Sequence, residues 1–466
     1  MIQCSSRPNF LIFLPLLNIA FVLSLIFSSI VFADYPLLVK IITAHNLKAM
    51  EEDFIEGSFR GEAGLLRMRP EIAKSFGIKV FIDQDYLDSR ELFEKADKSL
   101  HKAKMLMATQ RKEGFPGEHE ERVAQYFLEY KGSLKAAEKK LSDYHTKVNP
   151  NNDDRLDEDI CIRVMNQLLQ ESLKVTKNQL RDALGYFYNL CQGMNEDSHF
   201  LTSENVHFVN HVFRQFTQGA AKETLNAFDL DRDHGGRSLG TNINWGKILG
   251  DEGSQYIPIV ETALASFDDG AYQVDPLLFM ALMRRESNFD HLAVSPVGAA
   301  GLTQIMPKTA RELGMKNVYT PDYFYEAIVL LRQERKTRRE AFDALFQINE
   351  NNSFQYASLA RKLMQNSLFL KQKKERLFAQ YRQELVQNNT DDRLKPEKAI
   401  EHGLKYFAQL MKMQKGDISL ALASYNAGPH RVSEYNGIPP FDETVHFRNR
   451  ILKIYRDYMR KAKETM

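Results

Sequence analysis

The 466-residue chain has almost no net charge, few cysteines and no long alternation of apolar and polar residues. Lys and Arg number 62 against 61 Asp and Glu, which argues against binding nucleic acid through overall charge. Without alternation, long half-buried strands are not expected; "KVFIDQDYL" near residue 80 is the best strand candidate, and a weak one. No internal repeat of solenoid period stands out. Helical periodicity dominates, so we predict a mainly α fold with two or three domains.

An apolar segment opens the chain at residues 9–33, "NFLIFLPLLNIAFVLSLIFSSIVFA", directly after a short stretch that contains Arg7. Its last residues, "VFA", suit cleavage by signal peptidase. We predict that residues 1–33 are a signal peptide, with a retained membrane anchor as the alternative because the segment nearly spans a bilayer. Either way, the rest of the chain is expected to be exported, with membrane contact only if the segment is retained.

The exported part divides at a Gly-rich stretch. Residues 34–230 predict a helical N-terminal domain of unknown role, as in "RVAQYFLEYKGSLKAAEKKL". Six glycines between residues 231 and 254 cannot hold a long helix, so we predict a linker there. Residues 255–466 then form the second domain, with a charged helical insertion at 322–392. Charged runs of this kind are usually solvated; a surface for an anionic polymer or a protein partner is the alternative.

Two smaller features leave alternatives open. Asp229, Asp231 and Asp233 alternate as in a calcium loop, but the sixth and twelfth positions of that loop would hold a histidine and a glycine. We therefore predict a solvated linker rather than a metal site. Cys161 and Cys191 lie in neighbouring helical segments, where a disulfide and two buried free thiols are about equally expected.

One carboxylate stands in an apolar setting, in "ALMRRESNFDHLAVSPVGAAGLTQIMP" at residues 281–307. Asp275 caps the predicted helix, and Glu286 falls near its apolar face. A desolvated Glu has a raised pKa and can donate the proton that general acid catalysis at a glycosidic oxygen needs. The helix alone favours the other interpretation, a Glu at a helix end paired with Arg284 or Arg285.

The segments that follow favour a site. "SPVGAAGLTQIMPKTA" supplies Ser295, glycines that let the backbone approach a ligand, and Gln304, whose amide suits a sugar. "SYNAGP" adds the Tyr425 hydroxyl and the Asn426 amide at a helix end. Together these residues predict a polar-tipped groove beside one buried acid.

"ESNFDHLAVSPVGAAGLTQIMPKTA" and "ALASYNAGPHRV" resemble the two signature blocks of the soluble lytic transglycosylase family. "LKPEKAIEHGLKYF" and "PPFDETVHFRNRILKIY" resemble its intervening helix and closing block. The resemblance covers roughly residues 255–462, less the insertion. It implies an α-rich catalytic domain with a goose-type lysozyme-like fold that acts on bacterial peptidoglycan in the periplasm or cell envelope, with no cofactor and no metal.

Carried over position by position, the resemblance makes Glu286 the catalytic acid and base. The family's saccharide groove corresponds to the following residues: Ser287, Ser295, Gln304, Met306, Tyr425 and Asn426. Glu286 would protonate the oxygen between N-acetylmuramic acid and N-acetylglucosamine, and then take the proton of the muramic 6-hydroxyl as a 1,6-anhydro ring closes. The alternatives are a lysozyme-type hydrolase, and a non-catalytic factor that binds the cell wall during assembly.

The chain departs from the family pattern in three places. Ala399 stands where the family usually has Asn, and Phe447 where it usually has Tyr, so each place lacks a hydrogen-bonding group. The insertion at 322–392 is longer than the family's usual connection. A protein partner in the cell envelope is expected to bind through 34–230 or 322–392, if the chain has one.

Overall fold

A computed structural model describes residues 35–56, 60–109, 117–194, 200–232, 244–266 and 272–465. The chain divides into two compact units, Met1–Pro36 and Leu37–Met466. The predicted signal peptide or anchor, 1–33, lies outside the described residues. Within them the structure contains helices and isolated β-bridges but no strand, which confirms the mainly α prediction. The strand candidate near residue 80 is wrong, because its residues lead directly into a helix that begins at Gln84.

The helices run in chain order as follows: α1 Pro36–Glu56, α2 Pro70–Ser75, α3 Gln84–Ala108, α4 Glu118–His145, α5 Glu158–Val175, α6 Leu180–Gln192, α7 Val206–Gly219, α8 Lys222–Leu225, α9 Trp245–Leu249, α10 Asp251–Ser254, α11 Ile257–Ala265, α12 Pro276–Ser287, α13 Pro307–Glu312, α14 Asp322–Phe346, α15 Ser353–Asn388, α16 Pro396–Met413, α17 Ile418–Ala427, α18 Pro429–Glu434 and α19 Asp442–Thr465. None of these helices is both long enough and apolar enough to cross a membrane.

Helix α12 lies at the centre of the largest hydrophobic core. Every residue from Leu277 to Met283 is buried, in one core that also contains residues of α11, α16, α17 and α19. The Asp275 carboxylate accepts hydrogen bonds from the backbone N–H groups of Leu277 and Leu278, which confirms the predicted cap. A buried and capped helix is a rigid support for the residues at its C-terminal end.

The charged insertion is a helical hairpin, α14 and α15, and it packs against the hairpin α3–α4. The prediction that it is mostly solvated is wrong for one face. Small and apolar residues of the two hairpins form a shared buried core: Ala103, Met107, Val123, Ala124, Phe127, Ala341, Ala344, Leu345, Ile348, Ala357, Ala360 and Met364. Most charged residues of the insertion occupy the other faces, but Glu334 and Arg361 are buried, and Arg361 pairs with Glu120 of α4. The surface that the insertion meets belongs to the same chain.

A turn and a 3₁₀ helix occur twice in the chain. "GEAGLLRMRP" at 61–70 has a counterpart in "GAAGLTQIMP" at 298–307, and the four residues "DDRL" occur at 153–156 and at 391–394. Each turn is followed by a short helix that begins at a proline and then by a long helical hairpin. The sequence interpretation missed this repeat because its spacing is far longer than a solenoid period.

The duplicated turns are held by the same buried arginine contacts. Arg155 donates to the backbone oxygens of Gly61 and Met68, each at 2.9 Å, and pairs with the adjacent Asp153. In the second copy, Arg393 donates to the oxygens of Gly298 at 2.9 Å and Ile305 at 3.3 Å, and pairs with Asp391. Because fully buried arginines are costly to desolvate, the repetition of the whole arrangement marks two copies of one structural unit.

Two predictions that left alternatives open are resolved in the described residues. Cys161 and Cys191 are both free and buried, so they form no disulfide. Asp231, predicted to lie in a solvated linker, is buried and forms ion pairs with Arg448 and Arg456. The residues after Arg232 up to 243, which include the rest of the calcium-like pattern, lie outside the described residues.

Candidate active site

Glu286 lies in the last turn of α12, which ends where Asn288 adopts a left-handed conformation. Its side chain is half-buried, and no hydrogen bond or ion pair to its carboxylate is found among the described residues. Burial raises the pKa of Glu286 to about 8; Arg285 lowers it and Glu443 raises it further. An acid of this kind is protonated at neutral pH and has a proton to donate.

The two arginines that were expected to pair with Glu286 are engaged elsewhere. Arg284 donates to the Tyr458 hydroxyl at 3.3 Å, and the Arg285 guanidinium lies 5.6 Å from the centroid of the Phe447 ring. Neither is within ion-pair distance of Glu286 in the described structure. The alternative of a surface glutamate held by a salt bridge is therefore not what the structure shows.

Tyr425 stands on α17 and belongs to the same site. Its hydroxyl donates to the Thr303 backbone oxygen at 2.7 Å, and its ring stacks on Phe447 with centroids 6.5 Å apart and planes within 7°. Burial raises the pKa of Tyr425 well above its usual value, and the nearby charge of Glu286 raises it further.

The Gly-rich turn after α12 forms one wall. At Gly301, φ is 76° and an added Cβ would lie 1.7 Å from the Arg393 backbone oxygen, so no other residue fits. The Gln304 amide nitrogen donates to the Gly301 and Ala293 oxygens, each at 2.9 Å. Only the nitrogen is used in these bonds, and no described residue donates a hydrogen bond to the amide oxygen of the half-buried Gln304.

The other predicted groove residues support backbone or neighbouring side chains. The Ser287 hydroxyl is buried, 3.1 Å from the Met283 oxygen and 3.0 Å from the Leu302 oxygen, and so joins helix α12 to the turn. Ser295 accepts a hydrogen bond from the Ala299 N–H at 2.9 Å. Asn426 accepts from the Thr444 hydroxyl at 2.7 Å.

Met306 is half-buried directly before α13. The structure thus places all seven predicted residues on α12, on the turn that follows it, or at the end of α17.

Three contributors escaped sequence reasoning. Thr303 is fully buried and donates its hydroxyl to the Ala399 oxygen at 3.0 Å, so its backbone oxygen is fixed for Tyr425. Phe447 was noted as a departure from the family, but its stacking on Tyr425 was not foreseen. Glu443 is exposed and raises the pKa of Glu286. No local sequence pattern signals these three, because each acts across elements that are distant in the chain.

The described residues contain no group of three or more His, Cys, Asp or Glu side chains arranged to bind a metal ion.

The desolvated Glu286 carboxyl group, Tyr425 and the fixed turn thus lie within one helical domain. The model of the "Transglycosylase SLT domain" family matches residues 264–328 and 355–446, which include every predicted site residue. The chain therefore carries a transglycosylase SLT domain, and the predicted resemblance is confirmed. The residues between the two matched segments form much of α14 and the start of α15, within the predicted insertion.

Two individual proteins are also similar to this chain, one over a short segment and one at low sequence identity. A protein named transglycosylase from Enterobacteria phage PRD1 is 41% identical over 63 residues, 13% of this chain and 24% of that protein. The match thus spans about a quarter of the length of the relative. A solved structure, an inactive mutant of lytic transglycosylase Slt from Pseudomonas aeruginosa, is 15% identical with a TM-score of 0.25, covering 91% of this chain and 73% of that one. A TM-score this low supports no inference about this chain.

Proposed function

We propose that this protein is a peptidoglycan lytic transglycosylase that uses Glu286 as its single acid and base. The observation that carries the proposal is the desolvated, unpaired carboxyl group of Glu286 inside a transglycosylase SLT domain. A carboxyl group that is protonated near neutral pH fits the protonation of a glycosidic oxygen. The substrate is the glycan strand of the cell wall, reached in the periplasm or elsewhere in the cell envelope after export.

The reaction needs two proton transfers through one residue. Glu286 donates its proton to the oxygen between N-acetylmuramic acid and N-acetylglucosamine, and the bond from that oxygen to the muramic C1 breaks. The substrate acetamido oxygen, aided by the Tyr425 hydroxyl, stabilises the positive charge at C1. The Glu286 carboxylate then takes the proton of the 6-hydroxyl, whose oxygen bonds to C1. A 1,6-anhydro sugar forms, Glu286 is protonated again, and no water is consumed.

The groove walls supply recognition. The Gln304 amide oxygen can accept from a sugar hydroxyl or amide, because its nitrogen already holds the turn. We propose that four further residues shape the groove: Ser287, Ser295, Met306 and Asn426. The Ser287 and Ser295 hydroxyls hold the backbone of the turn, and the Asn426 amide oxygen accepts a hydrogen bond from Thr444. Neither a metal nor a cofactor has a role in this scheme.

Hydrolysis is the second candidate, and Glu443 is the observation that favours it. Glu443 is exposed, and its charge raises the pKa of Glu286. Two carboxylates with a water between them are the arrangement of an inverting glycosidase. The two functions differ in their products, because only hydrolysis leaves a reducing muramic end.

Analysis of the products tests the proposal. The purified full chain is incubated with isolated sacculi, and the released muropeptides are analysed by mass spectrometry. Muropeptides with 1,6-anhydro ends are the expected result. Reducing muramic ends would show hydrolysis instead, and binding to sacculi with no release would show a non-catalytic cell-wall protein.

Opposite shifts in the pH profile are expected from the two charges that act on Glu286. Glu443→Gln removes a charge that raises the pKa of Glu286, so activity is expected to fall at a lower pH than in the wild type. Arg285→Gln removes a charge that lowers this pKa, so activity is expected to persist to a higher pH. The measurement is kcat/KM against pH across the alkaline limb near pH 8. If the alkaline limb moves in the same direction in both variants, or in neither, Glu286 is not the acid whose titration sets that limb.

A further inference from the structure

The duplicated turn is part of a longer correspondence between the two halves of the chain. The short segment "PLL" begins α1 at 36–38 and α12 at 276–278, and "VHF" occurs in α7 at 206–208 and in α19 at 445–447. The elements that follow α1 have the same order as those that follow α12. In each half, a Gly-rich turn is followed by a helical hairpin, the segment "DDRL" and two further helices, which are α5 and α6 in the first half and α16 and α17 in the second.

We propose that residues 36–216 are a second, catalytically silent copy of the domain that carries Glu286, and that this copy is its built-in docking partner.

The position of the acid is occupied by Asn46. His45 packs edge-on to Phe208 with ring centroids 5.3 Å apart, as Arg285 lies over Phe447 in the other copy. Asn46 follows His45 as Glu286 follows Arg285. Each is also the tenth residue after the proline that begins its helix. Its side chain is buried and donates to the Leu65 backbone oxygen at 2.9 Å. A carboxamide has no acidic proton to transfer, so this copy lacks the acid.

The tyrosine of the site is also replaced. Phe187 stands where the other copy has Tyr425, and it stacks on Phe208 at 6.2 Å and 21°. Tyr425 also stacks on Phe447, with ring centroids 6.5 Å apart and an angle of 7° between the ring planes. The aromatic frame is therefore retained while both the hydroxyl and the carboxyl group are lost.

The groove of the silent copy is closed by its own helix. Helix α17 stops at Ala427, where Gly428 and Pro429 follow, but α6 continues past the corresponding point to Gln192. The Gln192 amide donates to the Arg67 oxygen at 3.3 Å, and Arg69 donates to the Gln192 oxygen at 3.1 Å.

The remaining cavity, lined by Asn46, Arg67, Tyr188 and their neighbours, measures about 10 Å³. That is room for at most one water, and no sugar ring fits.

The two copies contact each other reciprocally, as the subunits of a two-fold symmetric dimer do. In the silent copy, Asn210 donates to the Ile438 oxygen at 2.8 Å and accepts from its N–H at 3.0 Å. Its counterpart Asn449, two residues after the second "VHF", donates to the Leu201 oxygen at 2.7 Å. The paired hairpins form a second contact, closed by an ion pair of Glu120 with Arg361 at 3.2 Å.

A buried ion-pair network joins the silent copy to the elements that carry the site. Arg448 pairs with Asp182 of α6 and with Asp231, each at 2.5 Å, and Arg181 pairs with Asp417 at 2.6 Å. Arg448 follows Phe447 directly, and Asp417 caps the helix that carries Tyr425. The silent copy therefore holds the N-terminus of α17 through Asp417 and the second turn of α19 through Arg448. This makes Asp182 and Arg181 positioning residues for Tyr425 and Phe447.

The first test concerns the silent site and rests on the proposed activity. Asn46→Glu is introduced into the Glu286→Gln variant, and muropeptide release from sacculi is measured with the full chain. Release is expected to stay at the level of Glu286→Gln, because the groove remains closed. Any recovery above that level overturns the proposal, since the first copy would then accept a glycan strand.

The second test concerns docking. Asp182→Asn is expected to lower kcat about tenfold with little change in KM, and to move the alkaline limb to lower pH as Glu286 becomes more hydrated. Glu120→Gln is the matched control: it weakens the distant hairpin contact and is expected to leave kcat and the limb unchanged. An Asp182→Asn variant that is fully folded with a wild-type kcat and limb overturns the positioning role. If that variant does not fold, Arg456→Gln, whose side chain is partly exposed, takes its place with the same outcomes.

A separate measurement distinguishes failure of the proposed activity from failure of the docking proposal. If the wild type releases no muropeptide, the proposed function fails, and docking is then judged from thermal unfolding of the full chain. One cooperative transition that both Asp182→Asn and Glu120→Gln shift to lower temperature is the expected result. Two independent transitions in the wild type would overturn the docking of the copies.

Discussion

Glu286→Gln is expected to reduce muropeptide release by roughly 10³-fold or more, the range found for loss of a general acid that also serves as base. The amide has the shape of the protonated carboxyl group but no proton to donate and no basic form to accept one. The measurement is the initial rate of soluble muropeptide release from isolated sacculi. Glu401→Gln on the exposed face of α16 is the matched control and is expected to keep the wild-type rate.

The free energy of unfolding of Glu286→Gln, measured against pH, distinguishes a variant that is folded but inactive from one that is misfolded. The folded-state pKa of Glu286 is about 8, above the usual 4.5, so wild-type stability falls as pH rises between these values. Glu286→Gln has no carboxyl group to ionise, so its stability does not fall in this way. Its free energy of unfolding is expected to equal that of the wild type near pH 4.5 and to be higher above pH 8 by on the order of 2 kcal/mol, allowing for partial solvent access. An inactive variant that is less stable at pH 8 would point to misfolding instead.

Arg448→Met is expected to lower the free energy of unfolding by roughly 3–5 kcal/mol, because it leaves Asp182 and Asp231 buried without their main partner. Chemical denaturation of the full chain at neutral pH measures this loss. Arg450→Met, on the exposed side of the same helix, is the matched control with an expected change within about 0.5 kcal/mol. A loss of similar size in both variants would show that the network has no special role.

The loss should also depend on pH. Burial alone would raise the pKa of Asp231, but Arg448, Arg456 and Arg181 overcome it and lower the pKa to about 2. Its stabilising contribution is therefore present above the ordinary pKa of 3.8 and disappears as pH falls towards 2. The difference between wild type and Arg448→Met is expected to shrink over that range. A difference that is constant from pH 7 to pH 2 would remove Asp231 from the explanation.

The sequence made Glu286 the candidate acid only when the glycine turn, Gln304 and the distant "SYNAGP" were considered together with the helix, because the helix alone favoured a paired glutamate. Helical position placed Glu286 near an apolar face, Asp275 capped the helix, and glycine density marked the turn. It did not show how Gln304 and Ser287 use their polar groups, because those contacts depend on how the turn folds back on α12. The role of Phe447 was equally hidden, since it arises from stacking between two helices that are far apart in the chain.

The internal duplication was missed for a related reason. Identity between the copies is concentrated where backbone geometry demands it, at Gly61, Gly64 and Arg155 and their counterparts. An added Cβ at Gly64 would lie 1.7 Å from the Arg155 oxygen, as at Gly301 against Arg393, so these glycines are conserved between the copies by sterics. The helical faces need only apolar residues of suitable volume, and they have diverged. For the same reason, the charged helices of 322–392 concealed the small residues that dock them on α3 and α4.

In the proposed mechanism, Glu286 directs the 6-hydroxyl of the substrate, and not water, to the anomeric carbon. Digestion of sacculi by the full chain in ¹⁸O-labelled water tests it most directly, with the masses of the released muropeptides as the readout. Unlabelled products with 1,6-anhydro ends are predicted, and they should be absent with Glu286→Gln. Muropeptides that carry one ¹⁸O at a reducing muramic end would contradict the claim.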